Sequence, residues 1–206
     1  MQATQILRQE HRVIEQALAV LAAMVNRLRQ GQIVNDKPVA ALLEFFVEFA
    51  DGCHHAKEEG TLFPRLERGG IPKAGGPIGV MLYEHEHGRQ LIRTMQEALS
   101  HWDQQQSRQQ FCEAADQYVT LLRQHIWKED NVLFMLAERV LPAAEDQVIC
   151  SEFSQHEAQR IGPGKHEHYH QLIETLAREF EVPAVSTSPT GAPSEPGCAC
   201  DHAFGV

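Results

Sequence analysis

The decapeptide HHAKEEGTLF at residues 54–63 returns as HIWKEDNVLF at residues 125–134, with His, Lys, Glu, Leu and Phe in the same places. In each copy a His and a Glu lie four apart, His54 with Glu58 and His125 with Glu129, so on a helix the two side chains stand one turn apart on one face. A single pair of this kind arises easily by chance. Two pairs in matching surroundings point to antiparallel helices presenting the same donors to one centre. A weaker correspondence extends the pattern: EHRVIEQAL at 10–18 lines up with EHEHGRQLI at 84–92, matching His11 to His85. The order is then His, His-x-x-x-Glu, His, His-x-x-x-Glu, which constrains the chain to helices that bring four segments to a shared point.

The hydrophobic pattern supports that reading. Ile6, Leu7, His11, Ile14, Leu18, Leu21 and Val25 keep to one helical face that ends near Gly31. Asp36 and Pro38 open a second helix whose stripe carries Leu43, Phe46, Val47, Ala50, His54, Glu58 and Leu62. Pro64 removes a donor and crowds the carbonyl of Gly60, so a kink or ragged last turn is expected just beyond the first pair. After the Gly and Pro rich loop at 68–79, Met81, Leu82, His85, Arg89, Ile92, Met95 and Leu99 trace a third helix. The fourth carries Tyr118, Leu121, Leu122, His125, Glu129, Val132, Leu133 and Leu136 and stops near Leu141, before Pro142. No period-2 pattern competes, so the fold class expected is all-α, an up-down-up-down four-helix bundle over residues 1–142. Residues 143–182 read as additional helices on the bundle, interrupted by IGPGK. Residues 183–206, rich in Pro, Ser, Thr, Gly and Ala, read as a disordered tail ending in Cys198, Cys200 and His202.

Bulk properties narrow the function. The formal net charge of -10 disfavours nucleic acid, which needs clustered Lys and Arg. The longest apolar run, Ala17 to Val25, is far short of the ~20 residues that cross a bilayer. No membrane span is expected. The N-terminal segment lacks the pattern of a secretory signal, and five cysteines form an odd set, so reduced thiols and a cytoplasmic location are expected. Twelve histidines are many for this length, and metal binding accounts for them economically. Buried Glu58 and Glu129 each cost several kcal/mol without compensation, on the order of the figures for unpaired buried charges, and a cation compensates both. Four imidazoles and two carboxylates without thiolate suit non-haem iron, with manganese or zinc as alternatives. Six donors are too many for one ion with a vacant position and suit two, bridged by the carboxylates and by an exchangeable oxo or hydroxo group.

With these motifs the chain resembles the hemerythrin-like (HHE) cation-binding family over about residues 4–141. The family pattern falls on His11, on His54 with Glu58, on His85, and on His125 with Glu129, and the flanks KEEGTLFP and KEDNVLF resemble family motifs. The resemblance implies a metal site of those six residues holding two iron ions. Oxygen-carrying hemerythrins have His-x-x-x-His in the third helix, where this chain has Arg89 after His85. They also have His-x-x-x-x-Asp in the fourth, a spacing met by His125 and Asp130. The six-donor form resembles bacterial relatives linked to nitric oxide, peroxide or iron-cluster repair. The implied partners are a small diatomic ligand or peroxide and an iron-accepting protein, in sensing, scavenging or iron donation under oxidative or nitrosative stress.

Other readings stand beside this one. His55 with Glu59 has the same spacing as His54 with Glu58, although the repeat and the stripe favour the latter, and His87 competes with His85. A peroxidase or catalase-like activity at the same centre is an enzymatic alternative. A storage and delivery role through the Cys-x-Cys tail is another. HEHYH at 166–170 fits the His-Glu-x-x-His of zinc peptidases formally but lacks an evident third ligand. His166 and Glu157 have no assigned place.

Overall fold

The computed structural model describes residues 1–160, 162 and 164–183, and among them every regular element is a helix. Helix α1 spans Gln2–Arg29 and ends where Gly31 turns with φ +74°. Helix α2 runs without interruption from Asp36 to Arg68, and α3 spans Pro77–Leu99. Helix α4 runs from Gln105 to Val140. Helices α5, Ala143–Arg160, and α6, Lys165–Glu179, follow. The first four form the up-down-up-down bundle, with α3 packed most extensively on α4 and α1 closing the ring against α4 and α2. Both α5 and α6 lie along α1 and α2. The expectation of a disordered tail, with Cys198, Cys200 and His202, falls outside the described residues apart from Pro183. No helix among the described residues is long and apolar enough to cross a membrane.

The helix stripes become two apolar clusters. One is built around Leu18, Leu21, Phe45, Phe46, Phe49, Phe111 and Tyr118, with Tyr169 and Ile173 added by α6. The other joins Leu7, Leu62, Phe63, Leu66, Met81, Leu133 and Phe134 to Ile149 and Phe153 of α5. His11 falls between Leu7 and Ile14 on α1, and His54 and Glu58 fall between Phe49 and Leu62 on α2. His11, His54, Glu58, His85, His125 and Glu129 therefore form a buried polar layer between the two clusters. Apolar contacts above and below fix the helices that carry them.

Helix α2 departs from the simple stripe. It begins as an α-helix over Asp36–Phe45, widens to i→i+5 geometry over Phe46–His55 and Glu58–Leu62, and returns to α over Phe63–Arg68. Helix α4 widens in the same way over Glu129–Leu133. In both copies the wide turn starts on the repeated Glu: Phe63 N–H donates to the carbonyl of Glu58, and Phe134 N–H to that of Glu129. Helix widening of this kind gathers at functional sites. The expected break at Pro64 is thus a widened turn, and the helix continues to Arg68. The same turn rotates Val132 off the stripe expected for α4, leaving it 43% exposed.

Pro64 does not cause the widening, because α4 makes the equivalent turn with Met135 in the matching place. Pro64→Ala is therefore expected to change stability by no more than about 1 kcal/mol, the scale of a proline's effect through the unfolded chain. Metal content should stay unchanged. Thermal melts and metal analysis check this, and a large loss of bound metal would show that the proline shapes the turn.

Candidate metal centre

The structure brings His11, His54, Glu58, His85, His125 and Glu129 together from four helices, all of them buried. Two groups of donors form. His11, His54, Glu58 and Glu129 make one, and His55, Glu58, His85 and His125 make the other. Glu58 belongs to both. Its Oε1 lies 3.7 Å from His54 Nε2 and its Oε2 3.5 Å from His85 Nε2. Glu129 Oε2 lies 3.2 Å from His11 Nε2 and 3.3 Å from His125 Nε2.

His55, left open in the sequence as a rival register to His54, lies in the second group while His54 lies in the first. Both point inward. On an α-helix successive side chains diverge by about 100°, and a wider turn holds more residues and reduces that angle. The π-helical stretch ending at His55 thus lets two adjacent imidazoles serve one centre. His55 stacks on His85 with ring centroids 3.8 Å apart. It supplies an imidazole in the region where Arg89 stands in place of a third-helix histidine. The available signal was the HH doublet taken together with Arg89.

Each of the five imidazoles turns its Nδ1 outward to a different carboxylate. His11 pairs with Asp130 at 2.9 Å, His54 with Glu10 at 2.8 Å and His55 with Asp51 at 3.2 Å. His85 pairs with Glu59 at 2.7 Å and His125 with Glu84 at 3.0 Å. A proton on Nδ1 satisfies each bond and leaves the Nε2 lone pair facing the centre, which is how carboxylates orient metal-binding histidines. Asp130 and Glu59, considered as ligands on spacing, are thereby outer partners. His87 lies half-buried beside Tyr83, away from this set.

The repeat now has a physical reading. Glu10 and Glu84, each preceding a candidate histidine, reach across to the first histidine of the following copy, His54 and His125. The repeated lysines complete the motif, since Lys57 pairs with Glu10 and Lys128 with Glu84. The second acids, Glu59 and Asp130, hold His85 and His11. The bundle thus repeats one hydrogen-bonded unit about an approximate two-fold, broken by His55 and Asp51, whose counterparts are Ile126 and Leu122.

Electrostatics show the strain of this layer without a cation. Burial and the neighbouring Glu129 push the Glu58 carboxyl well above its usual range. Burial would also raise Glu129, but His125 and His11 hold it well below. Burial opposes the charging of His125, yet Glu129 and Glu84 lift it to about 9. Burial carries His54 down to about 4 despite Glu10. His11 Nε2, His54 Nε2 and all four carboxylate oxygens of Glu58 and Glu129 lack a hydrogen bond of acceptable geometry. Buried polar atoms are rarely left so. A set of orphaned nitrogens and oxygens with outer partners already in place fits a metal, and imidazole with carboxylate suits iron.

Three features elsewhere bear on the competing readings. Glu167 is exposed and accepts a hydrogen bond from Gln171, and no third ligand joins His166 and His170 among the described donor groups. Glu157 Oε2 lies 3.3 Å from the Lys57 ammonium. His166 Nε2 lies 3.9 Å from Glu10 Oε1.

The hemerythrin HHE cation-binding domain model matches residues 2–137. Among curated proteins the chain is similar to the iron-sulfur cluster repair protein YtfE of Musicola paradisiaca, 32% identical over 133 residues that make up 63% of this chain and 60% of that protein. It is similar to YtfE of Yersinia pseudotuberculosis, 30% identical over 139 residues, 63% of this chain and 60% of that one. It also matches the uncharacterized protein Mb2018 of Mycobacterium bovis, 27% identical over 162 residues, 76% of this chain and 61% of that one. The chain thus spans about three fifths of the length of these relatives. No solved structure matches it. With the four-helix bundle, the buried His and Glu layer and the match over most of the chain, the protein belongs to the hemerythrin HHE cation-binding family.

Proposed function

We propose that this chain holds two iron ions, binds nitric oxide, peroxide or dioxygen there, and takes part in the repair of iron-sulfur clusters by donating iron to an acceptor protein. The observation carrying this reading is the pair of donor groups sharing Glu58, with five Nε2 atoms aimed inward and five Nδ1 atoms tied to carboxylates. The relatives named for iron-sulfur cluster repair support the cellular role. A reducing, cytoplasmic setting is part of the proposal.

His55, His85 and His125 would hold one ion and His11 and His54 the other, with Glu58 between them and Glu129 beside His11 and His125. When bound, such a pair supplies redox equivalents and positions for a small ligand. The protein's part is orientation and exclusion of water. Phe63 stacks over His85 at 5.9 Å and Phe134 over His11 at 5.5 Å, so both flanking rings come from the ends of the repeated decapeptides. The outer carboxylates raise the basicity of each imidazole and hold its angle.

The test is metal analysis of the full chain grown with iron, beside the double variant His54→Ala with His125→Ala. Two irons per chain in the wild type, a change of the visible spectrum on adding nitric oxide, and loss of iron in the variant are expected. Equal iron content in the two proteins would overturn the assignment. Turnover of peroxide well beyond the amount of protein would move the reading to an enzyme at the same centre.

A further inference from the structure

Helix α6 lies beyond the matched family region and carries two histidines that the dinuclear site does not use. His166 and His170 are one turn apart, with ring centroids 4.7 Å apart and planes tilted by 35°. Both rings pack on Phe49 of α2, at 5.1 Å and 6.1 Å. That packing fixes their direction. His170 Nε2 is shielded from solvent yet has no hydrogen-bond partner, while the His166 side chain is 34% exposed. One imidazole is thus accessible and its neighbour keeps a shielded, unpartnered ring nitrogen.

The pair also faces the outer limb of the metal layer. Glu10 Oε1 is shared by the Lys57 ammonium and, at 3.9 Å, by His166 Nε2, while Glu10 Oε2 holds His54 Nδ1. One carboxylate therefore links His166 to the inner His54. Beside Glu10, Cys53 and Glu157 complete a cluster close enough to bind a cation. The Lys57 ammonium already lies against both carboxylates. The equivalent limb on α3 and α4, Glu84 with Lys128, has no helix over it bearing such a pair among the described residues.

We propose that His166 and His170 form a third cation site, for a divalent transition metal, where iron is held on its way to the buried centre. Two imidazoles one turn apart on a helix chelate such ions and discriminate against magnesium and calcium, which prefer oxygen donors. Glu10, Glu167 and Glu174 supply negative charge around the pair. Water completes the coordination on the exposed side. The site, but not the delivery step, stands independently of the di-iron reading.

The test compares the full chain with His166→Gln combined with His170→Gln. Equilibrium dialysis against Zn²⁺ should leave the wild type with one more ion per chain than the variant, since all other donors are common to both. Fe²⁺ uptake by the metal-stripped chain should slow by about tenfold in the variant, the scale of losing supporting metal contacts, with the final iron content unchanged. Equal zinc content overturns the site, and, in a chain that loads iron at the centre, an unchanged rate of uptake overturns its part in delivery. If zinc content differs by one ion while neither protein takes up iron at the centre, the surface site stands and the di-iron reading fails.

Discussion

Glu58→Gln is expected to abolish binding of the ion pair while leaving the metal-free fold at least as stable as the wild type. Glu58 alone belongs to both donor groups, with one oxygen facing His54 and the other facing His85. Its amide keeps the shape but offers a neutral, weaker donor that cannot serve two cations. In the metal-free protein burial and Glu129 push this carboxyl well above its ordinary value, which favours its protonated form, and the amide resembles that form. The sign of the pH effect follows. A carboxyl raised in the folded state gives stability that is present below its unfolded value and lost as pH rises through the folded one. The variant does not titrate at this position, so its advantage over the metal-free wild type should grow with pH. Glu129→Gln behaves differently, because Glu129 is held ionised beside His11 and His125, and its loss leaves the His125 imidazole, which it helps lift to about 9, facing an amide. That substitution should cost roughly 2–5 kcal/mol in the metal-free state, the range for breaking a buried charge pair. Urea unfolding of both variants, with and without iron, reads these differences. A Glu58→Gln protein that still binds two irons would remove Glu58 from its shared position.

Much of this was legible in the chain because the repeat is a repeat of contacts. The all-α class, the four-helix bundle and the gathering of the six candidate residues followed from stripe and spacing, since a His and a Glu four apart on an apolar stripe have one direction available to them. His55 did not follow, because its inward direction depends on the wide turn over Phe46–His55, and the stripe argument assumes regular α geometry. The outer carboxylates were hidden for another reason. Glu10, Glu59, Glu84 and Asp130 serve histidines on other helices, so their roles appear only when the helices are placed side by side. Two were considered as ligands because spacing cannot distinguish a carboxylate that touches a metal from one that holds an imidazole. The lysine at the same place in both decapeptides was visible as identity alone. Its meaning lies in tertiary structure, and so does the difference between its two copies.

That difference gives the largest stability effect expected. Lys57 is fully buried, against Glu10 on one side and Glu157 of α5 on the other, with the Phe153 ring 6.0 Å away. Lys128, its counterpart, is 32% exposed beside Glu84. Lys57→Met leaves Glu10 buried with His54 and the more distant, half-buried His166 but no fixed cation to compensate it, whereas burial alone would raise a carboxyl that His54 and Lys57 now hold at about 2. Removing one member of such a pair costs roughly 3–5 kcal/mol. Lys128→Met loses a partly hydrated pair and should cost no more than about 1 kcal/mol. Two substitutions at the same place in one motif are therefore expected to differ by several kcal/mol, on the order of the difference between buried and exposed pairs. Adding Glu10→Gln to Lys57→Met removes the stranded charge and should recover part of the loss, so the double variant unfolds at higher urea than Lys57→Met alone. His54 then loses its carboxylate, and iron affinity should fall by ~10–100-fold even as the fold recovers. Stability and metal binding move in opposite directions on adding that second change, which separates the structural work of Lys57 from the orienting work of Glu10. If Lys57→Met and Lys128→Met are equally mild, the α5 helix does not seal the Glu10 limb.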